Sequence, residues 1–458
     1  MYNKNAWRKY KDKKVIMDFA EGYKKFLNNS KTERLAVQQA IKLLEEHHFK
    51  NIRLVKKLKV GDKVYINNKN KNLAAFIIGK KHISEGMHIL GAHIDSVRID
   101  LKPNPIYEDT GLALLDTHYY GAIKKYQWFT IPLALVGVIV KPNGKIIDIN
   151  IGLKDTDPIF GITDLLPHLS KAQEKVNPKM EIDGETLDIT IGSMPLDGVK
   201  QDGVKANILK LLKDKYHIDE EDFISAEIEC VPAYPVRDYG LDRSMVAGYG
   251  QDDRSCAYPC LKAILEVDPK KINYTSCIIW TDKEEVGSRG ASGAESLFIE
   301  NCLLEITYHL GETHPNLMTR MCFTNSKMIS CDVSPAADPL FKYASAPHRN
   351  MARFGHGVCF SKYTGRRGKS GCNDARAEFI AYLRDILENN DIDYQSCELG
   401  AVDAGGGGTI SYALAKYNMD VCDAGLALLS MHAPVEIISK VDLYECFQFY
   451  KAFLLVKN

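Results

Sequence analysis

From residue 240 onward the chain alternates short apolar runs with amphipathic stretches, and this alternation narrows the possible folds more than any other feature. "SCAYPCLKAILEV" reads as a helix, "YTSCIIWTD" as a strand, "SGAESLFIENCLLEI" as a helix, "KMISCDV" as a strand and "DARAEFIAYLRDILENN" as a long amphipathic helix. "CELGAVD", a glycine run, "TISYALAKY", "VCDAGLALL" and a closing helix in "KVDLYECFQFYKAFLLV" come next. Strands separated by helices imply an α/β domain around a largely parallel sheet, because each parallel crossover has to carry a covering helix. Upstream, "NLAAFIIGK" and "GMHILGAHID" are apolar runs of strand length bounded by turn residues. Residues 12–48 read as two helices. "SKTE" at 30–33 matches a capping box, with Ser30 as cap and Glu33 three residues on. Val37, Ala40, Ile41 and Leu44 then fall on one helical face.

Between about 100 and 235 the texture changes. "FTIPLALVGVIVKPNGKIIDINIG" has two β-rich arms around "KPNG", a hairpin signal. "TDLLPHLSKAQEKV" comes after it as a short helical piece, then a polar stretch rich in turn residues. The expectation is a β-rich domain at 100–235 inserted into a domain formed by 1–99 and 236–458. The 458 residues exceed ordinary single-domain size, in keeping with two domains.

Lysine plus arginine total 59 and aspartate plus glutamate total 59, so no net charge points to nucleic acid or an anionic membrane. The longest apolar run, 129–140, contains Pro132 and is too short to span a bilayer. No apolar region succeeds the basic start "MYNKNAWRKYKDKK", so no signal peptide is read. The twelve cysteines all lie from Cys230 onward without a CxxC pair. They read as reduced, buried thiols, and a cytoplasmic location is expected.

Carboxylates and histidines gather at the ends of the expected strands. "LGAHIDS" supplies His93 and Asp95, "YGQDDRS" Asp252 and Asp253, "TDKEEVGS" Glu284 and Glu285, "ISCDVSP" Asp332, and "LLSMHAPVE" His432. Ligands of open α/β sheets bind beyond the carboxyl ends of strands. Each piece alone has a bland reading: a structural histidine, an acidic helix start, a solvated acidic pair. Five together point to a metal site. In "HID" the two side chains share a face of an extended strand, so Asp95 can orient His93 while His93 holds a metal. A purely structural His–Asp hydrogen bond is the other reading of that tripeptide.

"GAHIDS", "GQDDRS", "DKEEVGSRGASGAES", "SCDVS" and "MHAPVE", in this order, resemble the aspartyl aminopeptidase family, metallopeptidase family eighteen, nearest its bacterial aminopeptidase 1 group. The resemblance spans nearly the whole chain. It implies a zinc-exopeptidase-like fold, a mixed, mostly parallel sheet flanked by helices, with an inserted β-rich dimerisation domain. It implies two Zn²⁺ per subunit, with Co²⁺ or Mn²⁺ accepting similar ligands. His93 and Asp332 would hold one ion, Glu285 and His432 the other, and Asp252 would bridge them. Glu284 would be the general base and Asp95 the partner behind His93. Substrates would be peptides with a free N-terminus.

The resemblance also places Gly406 and Gly407 of "DAGGGGTIS" beside the substrate, makes Lys362 of "SKYTGRRGKSG" the counterpart of a family lysine, and matches His168 to a histidine that reaches a neighbouring subunit's site. It implies a homo-oligomer, a tetrahedral dodecamer built from dimers. One departure stands out: Pro335 occupies the position where many members carry a histidine three residues after the metal aspartate. That leaves the preferred N-terminal residue open. The competing readings are a shell or binding protein that keeps the fold without the chemistry, a related zinc carboxypeptidase or deacylase, and a nucleotide-dependent enzyme. The glycine run disfavours the last, because it lacks the Lys-Ser/Thr of a phosphate loop. "HLGETH" at 309–314 lacks the HExxH pattern and is assigned no role.

Overall fold

The run "CIIW" sits inside a nine-stranded sheet and is buried on both sides. Ile278 and Trp280 point into one apolar core, Cys277 and Ile279 into another. That explains why the run is apolar at every position instead of alternating. The computed structural model describes residues 4–169, 182–344, 350–403 and 405–456. The chain divides into two compact units, one made of Met1–Ser96, Val236–Met431 and Val435–Asn458, the other of Val97–Pro235 with His432–Pro434.

In the first unit the large sheet contains β1 (Lys50–Asn51), β2 (Lys63–Asn68), β3 (Asn72–Ile77), β4 (Met87–His93), β13 (Thr275–Thr281), β14 (Lys327–Ser330), β16 (Val358–Ser361), β17 (Tyr394–Ser396) and β18 (Asp420–Gly425). Their order is β1-β2-β3-β13-β4-β14-β18-β16-β17. The central block β13-β4-β14-β18 is parallel. β3 and β16 flank it in antiparallel pairing. A five-stranded sheet contains β11 (Arg237–Tyr239), β12 (Met245–Gly248), β15 (Ser334–Pro335), β19 (Ala427–Leu429) and β20 (Glu436–Ser439).

Helices α1 (Lys14–Asn28), α2 (Glu33–Glu46), α4 (Gln251–Glu266), α7 (Ala377–Asn389) and α9 (Lys440–Leu454) contribute to the core that takes Trp280. Phe19, Tyr258, Tyr444 and Phe447 join α1, α4 and α9 there by ring contacts. On the opposite face lie α5 (Phe298–Leu310), α6 (Pro315–Asn325) and the short α8 (Ser411–Ala415). The expected cap of α2 is displaced. Thr32, in extended conformation, accepts the Leu35 N–H and is the N-cap, whereas Ser30 is buried two residues earlier. Glu33 does not close a capping box, because its buried carboxylate pairs with Lys71.

The second unit carries β5 (Arg98–Asp109), β6 (Leu112–Tyr120), β7 (Leu133–Val140), β8 (Ile146–Ile151), β9 (Ile189–Gly192) and β10 (Ala226–Pro232), together with α3 (Gly203–Tyr216). Its strand order is β8-β7-β10-β5-β6-β9, antiparallel throughout. "KPNG" closes the β7–β8 hairpin, with Val140 opposite Ile146. A left-handed Thr110–Gly111 pair turns β5 into β6, the backbone a two-residue hairpin loop requires. Part of the expected helical piece, residues 170–176, lies outside the described residues; 167–169 form a turn. Among the described residues no helix is long and apolar enough to cross a membrane.

Candidate metal centre

β13, β4 and β14 are neighbours and parallel, so their carboxyl ends, and the loops that continue from them, lie along the same edge of the sheet. His93 ends β4, Glu284 and Glu285 form a 3-10 turn three residues beyond β13, and Asp332 stands two residues beyond β14. Asp252 comes from the start of α4, where Asp252 and Asp253 have non-helical backbone and share a cis peptide bond.

His93 is buried and held at both ring nitrogens. Nδ1 lies 3.1 Å from the Asp95 carbonyl oxygen and 3.3 Å from Asp95 Oδ1. Nε2 lies 3.1 Å from Asp252 Oδ1 and 4.0 Å from both Glu284 Oε2 and Asp332 Oδ1. Burial opposes a charged imidazole, yet the bonds to Asp252 and Asp95 outweigh it and hold His93 well above the ordinary histidine pKa. Asp332 moves up as well, because burial and the neighbouring carboxylates Asp252 and Glu284 outweigh the attraction of His93. Three carboxylates around one imidazole repel one another, and a cation among them would relieve that repulsion.

Ligand atoms of His93, Asp252 and Asp332 all lie within 4.8 Å of one another. Asp252 and Glu285 also offer carboxylate oxygens within 4.8 Å of each other. Mixed imidazole and carboxylate donors suit zinc, and an imidazole whose far nitrogen meets a carboxylate is the common arrangement of a bound histidine. The residues present therefore fit the metal.

The adjacent glutamates diverge: Glu284 reaches toward His93, Glu285 toward Asp252. Asp95 fixes this arrangement from beneath. Its two oxygens accept the Glu284 N–H at 3.1 Å and the Glu285 N–H at 3.2 Å. Asp95 thus orients the histidine and both glutamates, and only the first half of that is legible in "HID". Asp282, at the base of the same turn, accepts the Ser292 hydroxyl at 2.6 Å; burial, then Glu33 and Asp95, push its carboxyl up to about 6.

One supporting residue has no sequence signal of its own. Buried Glu436 opens β20 and accepts the N–H groups of Gln251, at 2.7 Å, and Asp252, at 3.1 Å. The Ser96 hydroxyl donates to the Asp252 carbonyl at 2.6 Å. These contacts span more than 150 residues, so spacing along the chain does not reveal them.

The other expected site residues are spread over both units. His432 belongs to the second unit, with Nδ1 3.0 Å from the Ala122 carbonyl oxygen. His168 is exposed in the turn at 167–169. Lys362 comes directly after β16, half exposed, its Nζ 3.7 Å from Asp374. Gly406 lines a cavity of about 200 Å³ together with Tyr363, Arg367, Lys369, Glu398 and Asp403. A Cβ on Gly406 would stand 2.1 Å from the Gly365 carbonyl oxygen, so packing against the 365 turn by itself demands glycine there. A Cβ on Gly407 would meet nothing within 4 Å. Pro335 lies in β15, opposite Leu428.

Residues 26–454 match the family described as aminopeptidase I zinc metalloprotease (M18). A probable M18 family aminopeptidase 1 of Clostridium acetobutylicum is 53% identical over 458 residues, covering 98% of each chain. The crystal structure of an M18-family aminopeptidase from Thermotoga maritima superposes with a TM-score of 0.95 at 42% identity, covering 99% of each chain. The S. cerevisiae mApe1 dodecamer shares the fold at 19% identity, with a TM-score of 0.76 over 95% of this chain and 96% of that one.

Proposed function

The chain belongs to the aminopeptidase I zinc metalloprotease family, which makes it a metallo-aminopeptidase, and from this premise we propose a two-zinc centre with Glu284 as its general base. His93 and Asp332 serve one ion, Glu285 and His432 the other, and Asp252 serves both. The observation that carries this reading is the double membership of Asp252: its carboxylate lies within 4.8 Å of His93 and Asp332 and also of Glu285. A residue shared in that way is what two adjacent cations require.

Zinc, when bound, supplies Lewis acidity, which polarises the scissile carbonyl and acidifies the attacking water. The remaining steps belong to side chains. Glu284 takes the proton of the attacking water and hands it to the leaving amine. Its backbone is pinned by Asp95, so the carboxylate stays aimed at the centre. Asp95 also keeps the His93 ring from rotating. Gln251 and Asp252 are held through their N–H groups by Glu436, which fixes the backbone from which the Asp252 carboxylate reaches His93. Peptides with a free N-terminus are the substrate class. His168, Lys362, Gly406 and Gly407 are the proposed substrate contacts, with His168 acting in a neighbouring subunit's site.

The proposed assembly is a tetrahedral dodecamer built from dimers that uses the inserted unit. What supports it is the apolar surface that unit presents: Ile146 and Val140 pair at the edge of its sheet, and Ile146 and Ile224 are each about three-fifths exposed. The twelve free cysteines, all but Cys372 buried, suit the proposed cytoplasmic location.

Metal analysis and then turnover of matched peptides test the reading. Two zinc ions per chain are expected, chelation abolishes turnover and zinc restores it, and free-amine peptides are cleaved while N-acetylated ones are not. A single ion at full activity would sink the two-ion centre. Preference for the acetylated peptide would make the enzyme a deacylase.

A further inference from the structure

The cavity beside Gly406 is walled by two loops of opposite charge. Loop 363–369 supplies Arg367 and Lys369, and loop 398–403 supplies Glu398 and Asp403. Gly405 and Gly406 are wedged against both. A Cβ on Gly405 would stand 2.0 Å from the Leu399 carbonyl oxygen, and one on Gly406 2.1 Å from that of Gly365. The Gly365 N–H donates to the Gly407 carbonyl at 2.7 Å, and the Gly405 N–H to that of Ala401 at 2.8 Å. The walls are thus fixed by their own backbone, as in a preformed small-molecule site. Two of the four charges are committed. Lys369 Nζ lies 2.7 Å from Asp374 Oδ2 and 3.8 Å from the centre of the Tyr363 ring, and the Tyr363 hydroxyl donates to Glu398 at 3.0 Å. The other two are not. Among the described residues neither the Arg367 nor the Asp403 side chain has an ion-pair or hydrogen-bond partner, and they do not pair with each other although both line the cavity. Both residues hold left-handed backbone, φ 47° and 67°, a costly conformation for arginine and one that gathers at ligand sites.

One uncommitted cation and one uncommitted anion on facing loops suit a ligand that carries both charges. The space between them, about 200 Å³, is below the roughly 300 Å³ at which pockets for drug-sized ligands begin, so it fits a molecule of amino-acid size. The planar fork of a guanidinium matches a carboxylate, and a carboxylate matches an ammonium. We infer that this cavity binds a free α-amino acid, with the carboxylate on Arg367 and the ammonium on Asp403. An aminopeptidase releases such a molecule at each turnover, so the ligand is the enzyme's own product. Only one consequence rests on the reading above: because Gly406 is a proposed substrate contact, a bound amino acid competes with substrate.

Ligand-observed NMR titrations of the full-length, zinc-loaded protein test this with three probes of nearly one shape. L-Alanine carries both charges, isopropylamine only the ammonium and isobutyrate only the carboxylate. L-Alanine should bind about tenfold or more tightly than either, the worth of one charge-assisted contact. Arg367→Gln and Asp403→Asn should each weaken L-alanine by about the same factor. Their melting temperatures should stay at the wild-type value, because both side chains are exposed. Arg367→Gln should also erase the advantage of L-alanine over isopropylamine, and Asp403→Asn its advantage over isobutyrate. No binding of L-alanine, equal binding of the three probes, or unchanged L-alanine affinity in either variant would overturn the inference. In steady-state kinetics L-alanine should raise KM for an aminoacyl p-nitroanilide without altering kcat, and Arg367→Gln should relieve that rise. L-Alanine that binds through Arg367 yet leaves KM unchanged would uphold the cavity as an amino-acid site and remove Gly406 from the substrate contacts.

Discussion

The central sheet of the first unit is covered on both faces; the sheet of the second unit keeps apolar side chains in the open. In the first, β13 is buried at all seven positions from Thr275 to Thr281. In the second, β6 alternates buried and partly exposed side chains from Leu112 to Thr117, and the edge strand β8 buries only Ile149 and Ile151. The two patterns arise from connectivity. Parallel crossovers lay helices on both faces of a sheet, whereas antiparallel hairpins leave a face uncovered. The covered sheet brings the carboxyl ends of β13, β4 and β14 to one edge. The uncovered one leaves Ile146 exposed on its edge strand.

The sharpest way to break this division of labour is at the centre itself. Glu284→Gln should lower kcat by about 10²–10⁴-fold while zinc content and assembly state stay at wild-type values. Steady-state kinetics with metal analysis checks it, and near-normal turnover would remove Glu284 from the mechanism. Next in size is packing beneath the centre. Ile278→Ala opens a cavity in a strand covered on both faces and should cost about 2–5 kcal/mol in urea unfolding. A loss below about 1 kcal/mol, less than any ordinary core truncation of this kind, would mean that the two-faced burial of β13 does not anchor the unit.

A pH-dependent contribution of about 2 kcal/mol belongs to His88 on β4. Burial, aided by Lys327 and Lys81, depresses its pKa to about 3 from the ordinary 6.5. The folded protein therefore binds fewer protons than the unfolded chain between those two values, so stability is present above pH 6.5 and declines as the pH falls. Between about pH 6.5 and 5 the loss from this group is about 2 kcal/mol, at about 1.4 kcal/mol per pH unit. His88→Phe keeps the ring packed against Tyr274 and Phe453 and should flatten the decline in urea titrations at the two pH values. An unchanged slope would assign the acid sensitivity elsewhere. The smallest stability effect is expected in the inserted unit. Ile146→Ser should alter unfolding by no more than about 0.5 kcal/mol, the ordinary range for exposed positions, yet shift sedimentation toward smaller species. Unaltered assembly would take this edge out of the interface.

Much of this was legible along the chain. Apolar runs of strand length became β3, β4, β13 and β14, and the long amphipathic run near 380 became α7. The ligand types stood at strand ends because a strand that enters a buried sheet must leave it where polar side chains meet solvent or an ion. The cap of α2 was misread, since Ser30 and Thr32 are equally good capping residues in a sequence and only the buried Lys71 pairing decides what Glu33 does. That Gly406 packs on the carbonyl of Gly365 was not legible, because the two positions are brought together by separate loops.

The sequence alone determined which side chains exist to bind a metal, the order in which they occur, and the α/β alternation that delivers them to one edge of a sheet. Tertiary structure decided how they are aimed. Asp95 accepts two N–H groups 189 and 190 residues away, and Glu436 grips the backbone of Asp252 from 184 residues downstream. The physical reason is that periodicity and charge act locally along the chain, whereas a hydrogen bond needs its two atoms about 3 Å apart, a distance set only when the strand order β13-β4-β14 is in place.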